Sequence, residues 1–263
     1  MLENIEISIT YRCNLACKWC CQLCGSEFNT PGDLSLESLD KYISQLLPLI
    51  TRHTNVRIGG GEPVLHPQIF EMLQLLIEKV RPKLEIPLVL LSNGVGDRVN
   101  QILDEIRKRY DTFDSPYIST KANLILQSTK QICINASKSH GAEQYVKARH
   151  KPIFRAPVDL LPPQGDWARN CPQKNGCNIT PHGVFVCCGS SRIISTLFRL
   201  RPGEGHILSE EEEETQRQKF CKYCSYLCQP LVPSEEPSEA YKEAIENWRA
   251  NPYYLEEVEP DKP

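Results

Sequence analysis

The 263 residues, 40% of them apolar and 24% charged, suffice for one sizeable core and a smaller appendage. A formal net charge of −3, with scattered basic residues, gives no electrostatic basis for a nucleic-acid partner. No run approaches the roughly 20 apolar residues of a membrane span, and no signal pattern is present, so we expect a cytoplasmic protein without a membrane partner. Thirteen cysteines in such a chain point to metal or redox use.

Strand and helix patterns alternate through the first 110 residues. Ile5, Ile7 and Ile9 alternate with polar residues and predict a strand, and apolar residues at three- and four-residue spacing after them predict a helix. Two more such units follow, the second helix beginning near Pro67, where a first helical turn tolerates proline. The predicted strands cover 5–9, 56–58 and 86–91, and the predicted helices cover 36–50, 69–80 and 99–106.

The pattern is less regular further along the chain. We expect strands over Gln131–Asn135 and around Ile153–Val158, whereas the weak periodicity of 111–130 supports only a poor helix. Alternating β and α units favour a parallel sheet with right-handed crossovers. Polar motifs follow the first three strands, at the carboxyl ends where α/β folds place their sites.

Three cysteines directly follow the first strand. Cys13, Cys17 and Cys20 have C-x3-C-x2-C spacing. Iron–sulfur cubanes are normally held by four thiolates, so a trio with no fourth cysteine in register predicts a cluster with one iron open to another ligand. The alternative is a zinc knuckle, because the run continues through Cys21 and Cys24 and any C-x2-C pair can hold zinc.

Two downstream motifs favour the iron–sulfur interpretation. Gly60, Gly61 and Glu62 follow the second strand, where glycines let backbone approach a ligand closely and a carboxylate can accept hydrogen bonds from an ammonium group. Ser92 and Asn93 follow the third strand in the segment Leu-Ser-Asn-Gly. A zinc module has no need of these residues at these positions.

In this order the three motifs resemble the signatures of the radical S-adenosylmethionine (radical SAM) superfamily. The resemblance implies a partial (β/α)6 barrel and a [4Fe–4S] cluster whose open iron is chelated by the amino and carboxylate groups of SAM. Reduction would then release a 5′-deoxyadenosyl radical that abstracts a hydrogen atom, with the electron coming from a donor such as flavodoxin or ferredoxin. The resemblance assigns to the cofactor Trp19, Gly60, Gly61, Glu62, Ser92 and Asn93.

Seven of the thirteen cysteines lie between Cys171 and Cys228, where helical periodicity has faded. Their spacing around Gly183 resembles the SPASM and twitch extensions of radical SAM enzymes, in which a β-hairpin and a helix hold auxiliary clusters. Because no cysteine follows Cys228, the one-cluster twitch form is favoured. The ligands implied for an auxiliary [4Fe–4S] cluster are Cys171, Cys188, Cys221 and Cys224. Zinc held by the same four cysteines is the alternative, since thiolate spacing does not distinguish the metals.

Local signals place the twitch-like elements. Thr180–Gly183 reads as a turn, 184–186 as its return strand, and Glu210–Glu214 as the first turn of a helix. We therefore expect a radical SAM partial barrel over 1–160, a twitch-like auxiliary Fe–S domain over 161–232, and a tail over 233–263 with the spacing of one helix.

The resemblance narrows the reaction without fixing the substrate. The first strand begins almost at Met1, with no leader-binding domain before it, which favours oxidation or epimerisation of a small polar substrate such as an aminocyclitol or amino sugar. A maturase of a peptide natural product is the alternative, and a non-catalytic metal-binding module is the alternative of another class. Cys133 is a candidate hydrogen donor if it faces the barrel interior, although packing as a small apolar residue is the favoured role.

Overall fold

The computed structural model describes residues 2–15, 24, 32–115, 127, 129–136, 175–186 and 209–220. Within them, seven strands form one mixed sheet with helices packed against it. The strands are β1 (Leu2–Thr10), β2 (Ile50–Gly60), β3 (Leu88–Ser92), β4 (Thr112–Asp114), β5 (Ile132–Ala136), β6 (Gly176–Thr180) and β7 (Gly183–Val186). The helices are α1 (Leu36–Leu46), α2 (Ile69–Lys79), α3 (Asp97–Arg109) and α4 (Glu210–Phe220).

The order of strands and helices in the first 110 residues is confirmed, but β2 begins six residues before its predicted start, β3 begins two residues after its own, and α1 ends early. Ser35 caps this helix by accepting a hydrogen bond from the Ser38 backbone N–H. The helix was predicted to reach Ile50, but it ends at Leu46 because Pro48 lies in a short 3-10 turn and Ile50 already opens β2. Proline lacks the N–H that a continuing helix would need.

One face of the sheet carries the main hydrophobic core. Ile5 and Ile7 of β1 lie beside Val56 and Ile58 of β2 in parallel register, and all four are fully buried. The apolar stripes of the first three helices cover this face with Leu39, Ile43, Met72, Leu73, Leu76, Val99, Leu103 and Ile106. Side chains at alternate strand positions point to the opposite face.

The sheet order is β4-β5-β3-β2-β1-β6-β7, and every neighbouring pair except β6–β7 is parallel. The parallel sheet confirms the α/β class, while the partial (β/α)6 barrel and its twitch-like extension stay predictions. The poor helix expected over 111–130 is wrong at its start, because Thr112–Asp114 pairs with β5 as a strand. The strand around 153–158 and the helix of the tail lie outside the described residues.

The hairpin predicted near Gly183 is confirmed, as is the helix that begins at Glu210. Gly183 has a φ of 126°, a left-handed conformation that favours glycine at the turn. The first strand of the hairpin, β6, pairs directly with β1, with Ile5 opposite Cys177 and Ile7 opposite Ile179. The hairpin therefore extends the main sheet, an arrangement that the sequence did not predict.

Candidate cofactor site

The three motifs meet at one edge of the sheet because β1, β2 and β3 run parallel. Hydrogen bonds join the first two motifs directly: the Gly61 N–H donates to the Thr10 carbonyl and the Glu62 N–H donates to the Arg12 carbonyl, each at 2.7 Å. The segment that leads to Cys13 is thus held along the end of β2. This confirms that the motifs fall at strand carboxyl ends, where parallel sheets place their sites.

Gly60 and Gly61 are required by this close backbone contact. Gly60 has a φ of 117°, and a Cβ atom there would lie 2.3 Å from the Thr10 carbonyl oxygen. A Cβ atom on Gly61 would lie 2.2 Å from the Arg12 carbonyl oxygen. No side chain fits at such distances without moving the cysteine-bearing segment. The glycines therefore let the protein backbone approach itself here, and a contact with SAM stays a prediction.

Glu62 lies fully buried between the second and third motifs. Its Oε1 accepts from the Ser92 hydroxyl at 2.8 Å and from the Val64 N–H at 3.4 Å, and its Oε2 accepts from the Asn93 N–H at 2.6 Å. Burial raises the pKa of Glu62 to about 7, although these hydrogen bonds favour the carboxylate. The side chain is thus engaged by protein donors, and the half-buried backbone of Gly60 and Gly61 forms the more open surface of this motif.

Asn93 links the third motif to the first. Its Nδ2 donates to the Asn14 Oδ1 at 2.8 Å and to the Cys13 Sγ at 3.9 Å. The Leu15 N–H also donates to the Cys13 Sγ, at 3.5 Å. Two N–H groups directed at one sulfur suit a thiolate, so the surroundings of Cys13 fit its predicted role as a ligand of an iron–sulfur cluster.

The cysteine-bearing segment, residues 12–32, is closed at its base by a charged pair that sequence reasoning missed. The Thr10 hydroxyl donates to the Asp33 Oδ1 at 2.6 Å, and the Arg12 Nε donates to the Asp33 Oδ2 at 2.9 Å. Backbone bonds from Tyr11 N to Gly32 O and from Leu34 N to Ile9 O flank this pair. Because Arg12 and Asp33 are 21 residues apart, spacing gave no sign of their contact.

Of the predicted cluster ligands, Cys13 lies within the described residues. The others, and the aromatic residue assigned to the cofactor, lie outside them: Cys17, Trp19, Cys20, Cys171, Cys188, Cys221 and Cys224. Among the described residues, no group of three or more His, Cys, Asp and Glu side chains is placed to hold a metal ion. The ligand sets therefore stay predictions.

Cys133 lies on the sheet face opposite the main core, as its position between Ile132 and Ile134 requires. It is fully buried in a small apolar cluster with Ile86 and Val89. It also precedes the end of β5 by three residues, or roughly 10 Å of extended chain. These surroundings favour packing, and a role as hydrogen donor stays a prediction.

Two described residues, Cys177 and Gln216, lie in the part of the chain that carries the cysteines from Cys171 to Cys228. Cys177 is fully buried. Burial, and to a smaller extent the nearby negative charge of Glu213, raises the pKa of its thiol to about 12. Cys177 is therefore a poor thiolate ligand. The Gln216 side chain accepts from the Val186 N–H at 3.0 Å and donates to the Val184 carbonyl at 3.2 Å. It thereby fixes α4 to β7.

Residues 7–123 match the family model described as the radical SAM superfamily. The matched residues are fewer than half of the 263 and include Cys13, Glu62 and Asn93, so it is this part of the chain that is similar to the radical SAM superfamily. Among the described residues, no helix is both long and apolar enough to cross a membrane.

Similar curated proteins are GTP 3′,8-cyclases. The enzyme of Mycobacterium sp. (strain KMS) is 32% identical over 118 residues, which cover 39% of this chain and 32% of the relative. A probable GTP 3′,8-cyclase of Methanopyrus kandleri is 31% identical over 119 residues, covering 43% of this chain and 36% of the relative. The chain thus spans about a third of the length of these relatives.

Solved structures give weaker likenesses. BtrN in complex with AdoMet and 2-DOIA has a TM-score of 0.44 and 14% identity, with 90% of this chain and 96% of that chain covered. AnSMEcpe with bound AdoMet has a TM-score of 0.34 and 18% identity, with 50% of this chain and 43% of that chain covered. At these values the likenesses carry no argument about substrate.

Proposed function

We propose that this chain is a radical SAM enzyme that binds a [4Fe–4S] cluster through Cys13, Cys17 and Cys20. When bound, the cluster would supply the electron that cleaves SAM to methionine and a 5′-deoxyadenosyl radical. The observation that carries the proposal is the hydrogen-bonded edge that joins Cys13, Glu62 and Asn93 within the matched domain. An electron donor such as flavodoxin or ferredoxin completes the proposal.

Each motif has a distinct part in holding the cofactor. The half-buried backbone of Gly60 and Gly61 would accept hydrogen bonds from the N–H groups of the SAM amino group, since carbonyl oxygens are hydrogen-bond acceptors. Glu62 would support the site without contacting SAM, because its carboxylate accepts hydrogen bonds from Ser92 and Asn93 and holds that turn in place. Because burial raises the pKa of Glu62 to about 7, a cation nearby would stabilise its charged form.

We further propose an auxiliary [4Fe–4S] cluster on Cys171, Cys188, Cys221 and Cys224. Support comes from the contact of Gln216 with β7, because β7 ends two residues before Cys188 and α4 ends one residue before Cys221. Cys188 and Cys221 therefore each follow closely an element, β7 or α4, and these two elements are fixed to each other. Metal analysis of a variant that lacks Cys13, Cys17 and Cys20 tests this: about four irons per chain support the auxiliary cluster, and one zinc contradicts it.

For the substrate, we propose a small polar molecule of the aminocyclitol or amino-sugar class, which is oxidised or epimerised. The sheet face opposite the main core carries buried polar groups that suit a hydroxyl-rich ligand. Ser8, Asn135 and Asn178 are buried there, and the Ser8 hydroxyl donates to the Asn178 Oδ1 at 3.3 Å. The alternative is a peptide substrate, and GTP belongs in the screen because the similar curated proteins are GTP cyclases.

The experiment is mass-spectrometric quantitation of 5′-deoxyadenosine after anaerobic reconstitution and dithionite reduction with SAM. Wild type, Cys17→Ala and Cys177→Ala are compared, the last as a matched control because Cys177 lies in the hydrophobic core. We expect product from wild type and from Cys177→Ala and none from Cys17→Ala. Absence of product from an iron-loaded wild type would contradict the proposal and favour the non-catalytic metal-binding module.

A further inference from the structure

Every hydrogen-bonding group of the Asn93 side chain has a partner. The Asn93 Nδ2 donates to the Asn14 Oδ1 and to the Cys13 Sγ. The Asn93 Oδ1 accepts from the Val95 N–H at 2.8 Å. The Asn93 backbone N–H meanwhile donates to the Glu62 Oε2. One residue thus contacts both the predicted cluster ligand and the buried carboxylate.

The orientation of this amide is fixed from both sides. On the turn itself, Gly94 adopts a φ of 64° and its N–H donates to the Ser92 hydroxyl at 3.1 Å, which holds the backbone around Asn93. On the opposite side, the Asn14 Nδ2 donates to the Val95 carbonyl at 2.7 Å, so the two asparagine side chains are held as a pair. With one N–H committed to Asn14, the other N–H is directed at the sulfur.

An N–H group beside a thiolate ligand affects the cluster that the thiolate binds. Reduction adds negative charge, part of which resides on the ligand sulfur. A hydrogen-bond donor stabilises this charge, so it favours the reduced cluster and raises its reduction potential. The donor on Asn93 is a side-chain amide and can be removed by substitution, unlike the Leu15 backbone N–H on the same sulfur.

We infer that the Asn93 side-chain amide raises the reduction potential of the cluster that Cys13 ligates, and so makes the cluster easier for its electron donor to reduce. The inference rests on the proposed function, since it requires a cluster at Cys13. Asn93 acts here as a positioning and tuning residue for the ligand sulfur. A purely structural role would consist of holding the turn between Ser92 and Val95.

The test is an anaerobic redox titration of the reconstituted full chain, followed by EPR and visible absorption. Asn93→Asp keeps the shape and the acceptor for the Val95 N–H, but it replaces the donor with a negative oxygen. Asn93→Ala removes the whole amide. The control is Asn100→Ala, which removes an exposed amide bound to the Gly96 carbonyl, one turn along α3.

We expect the ratio of reduced to oxidised cluster at a fixed potential to fall about five- to tenfold in Asn93→Ala and further in Asn93→Asp, a tenfold change being about 59 mV for one electron. Asn100→Ala should match wild type. Equal potentials in wild type and both Asn93 variants would overturn the inference, as would loss of the cluster from both variants with the fold intact. A wild type without a redox-active cubane would instead contradict the proposed function.

Discussion

Glu62 gives a pH dependence of stability that follows from its burial. Its pKa is raised from 4.5 to about 7, with burial as the largest cause. The folded chain therefore keeps the Glu62 proton to higher pH than the unfolded chain does. Its contribution to stability is complete below pH 4.5 and is lost as the pH rises to about 7. At about 1.4 kcal/mol per pKa unit, the loss amounts to about 3 kcal/mol.

Glu62→Gln isolates this contribution, because glutamine resembles the neutral acid and does not titrate. The assay is urea unfolding of the metal-free protein at pH 5 and pH 8 at equal ionic strength. We expect the free energy of unfolding of the variant, relative to wild type, to rise by about 3 kcal/mol between pH 5 and pH 8. Glu78→Gln, which changes an exposed glutamate, should show no such rise.

The refuting result is a parallel pH dependence for wild type and Glu62→Gln. It would mean that Glu62 ionises in the folded protein as it does in the unfolded chain, either because water reaches the carboxylate or because the hydrogen bonds from Ser92 and Asn93 offset its burial. The description of Glu62 as a buried support beneath the cofactor surface would then be wrong.

Three further substitutions test other contacts. Gly61→Ala should destabilise the chain by about 2–4 kcal/mol in urea unfolding and reduce iron loading, because the added Cβ would strike the Arg12 carbonyl oxygen. The control Gly59→Ala should be tolerated, because the added Cβ would meet a Leu91 methyl group at 3.5 Å, an ordinary contact distance. Gln216→Ala should lower the free energy of unfolding by about 1–2 kcal/mol and lower the iron retained by the proposed auxiliary site, and exposed Thr215→Ala should do neither. Cys133→Ala should give a product with the same stereochemistry as the wild-type product. A change in product stereochemistry would identify Cys133 as a hydrogen donor.

Much of the candidate cofactor site could be predicted because local sequence determines it. Alternation in β1 and helical spacing after it predict parallel strands, and parallel strands bring their carboxyl ends together. The motifs that follow Thr10, Gly60 and Leu91 therefore had to be neighbours. The structure adds that the glycines serve backbone contact within the protein and that Glu62 is engaged by protein donors.

Long-range pairings could not be predicted in the same way. The contact of Arg12 with Asp33 joins the first residue of the cysteine-bearing segment to the residue that follows it, and neither belongs to a periodic pattern. The pairing of β6 with β1 joins residues about 170 positions apart. A short strand carries no mark of its neighbour, because several sheet edges can satisfy the same backbone groups.

EPR spectroscopy of the reduced cluster, with and without SAM labelled with ¹⁵N at its amino group, tests the central claim most directly. If Cys13, Cys17 and Cys20 hold a cubane with one open iron, adding SAM should change the spectrum and introduce a hyperfine coupling to the labelled nitrogen. Cys13→Ala should lose both signals. A cluster whose spectrum is the same with and without saturating SAM would show that SAM does not bind an open iron, and would contradict the account.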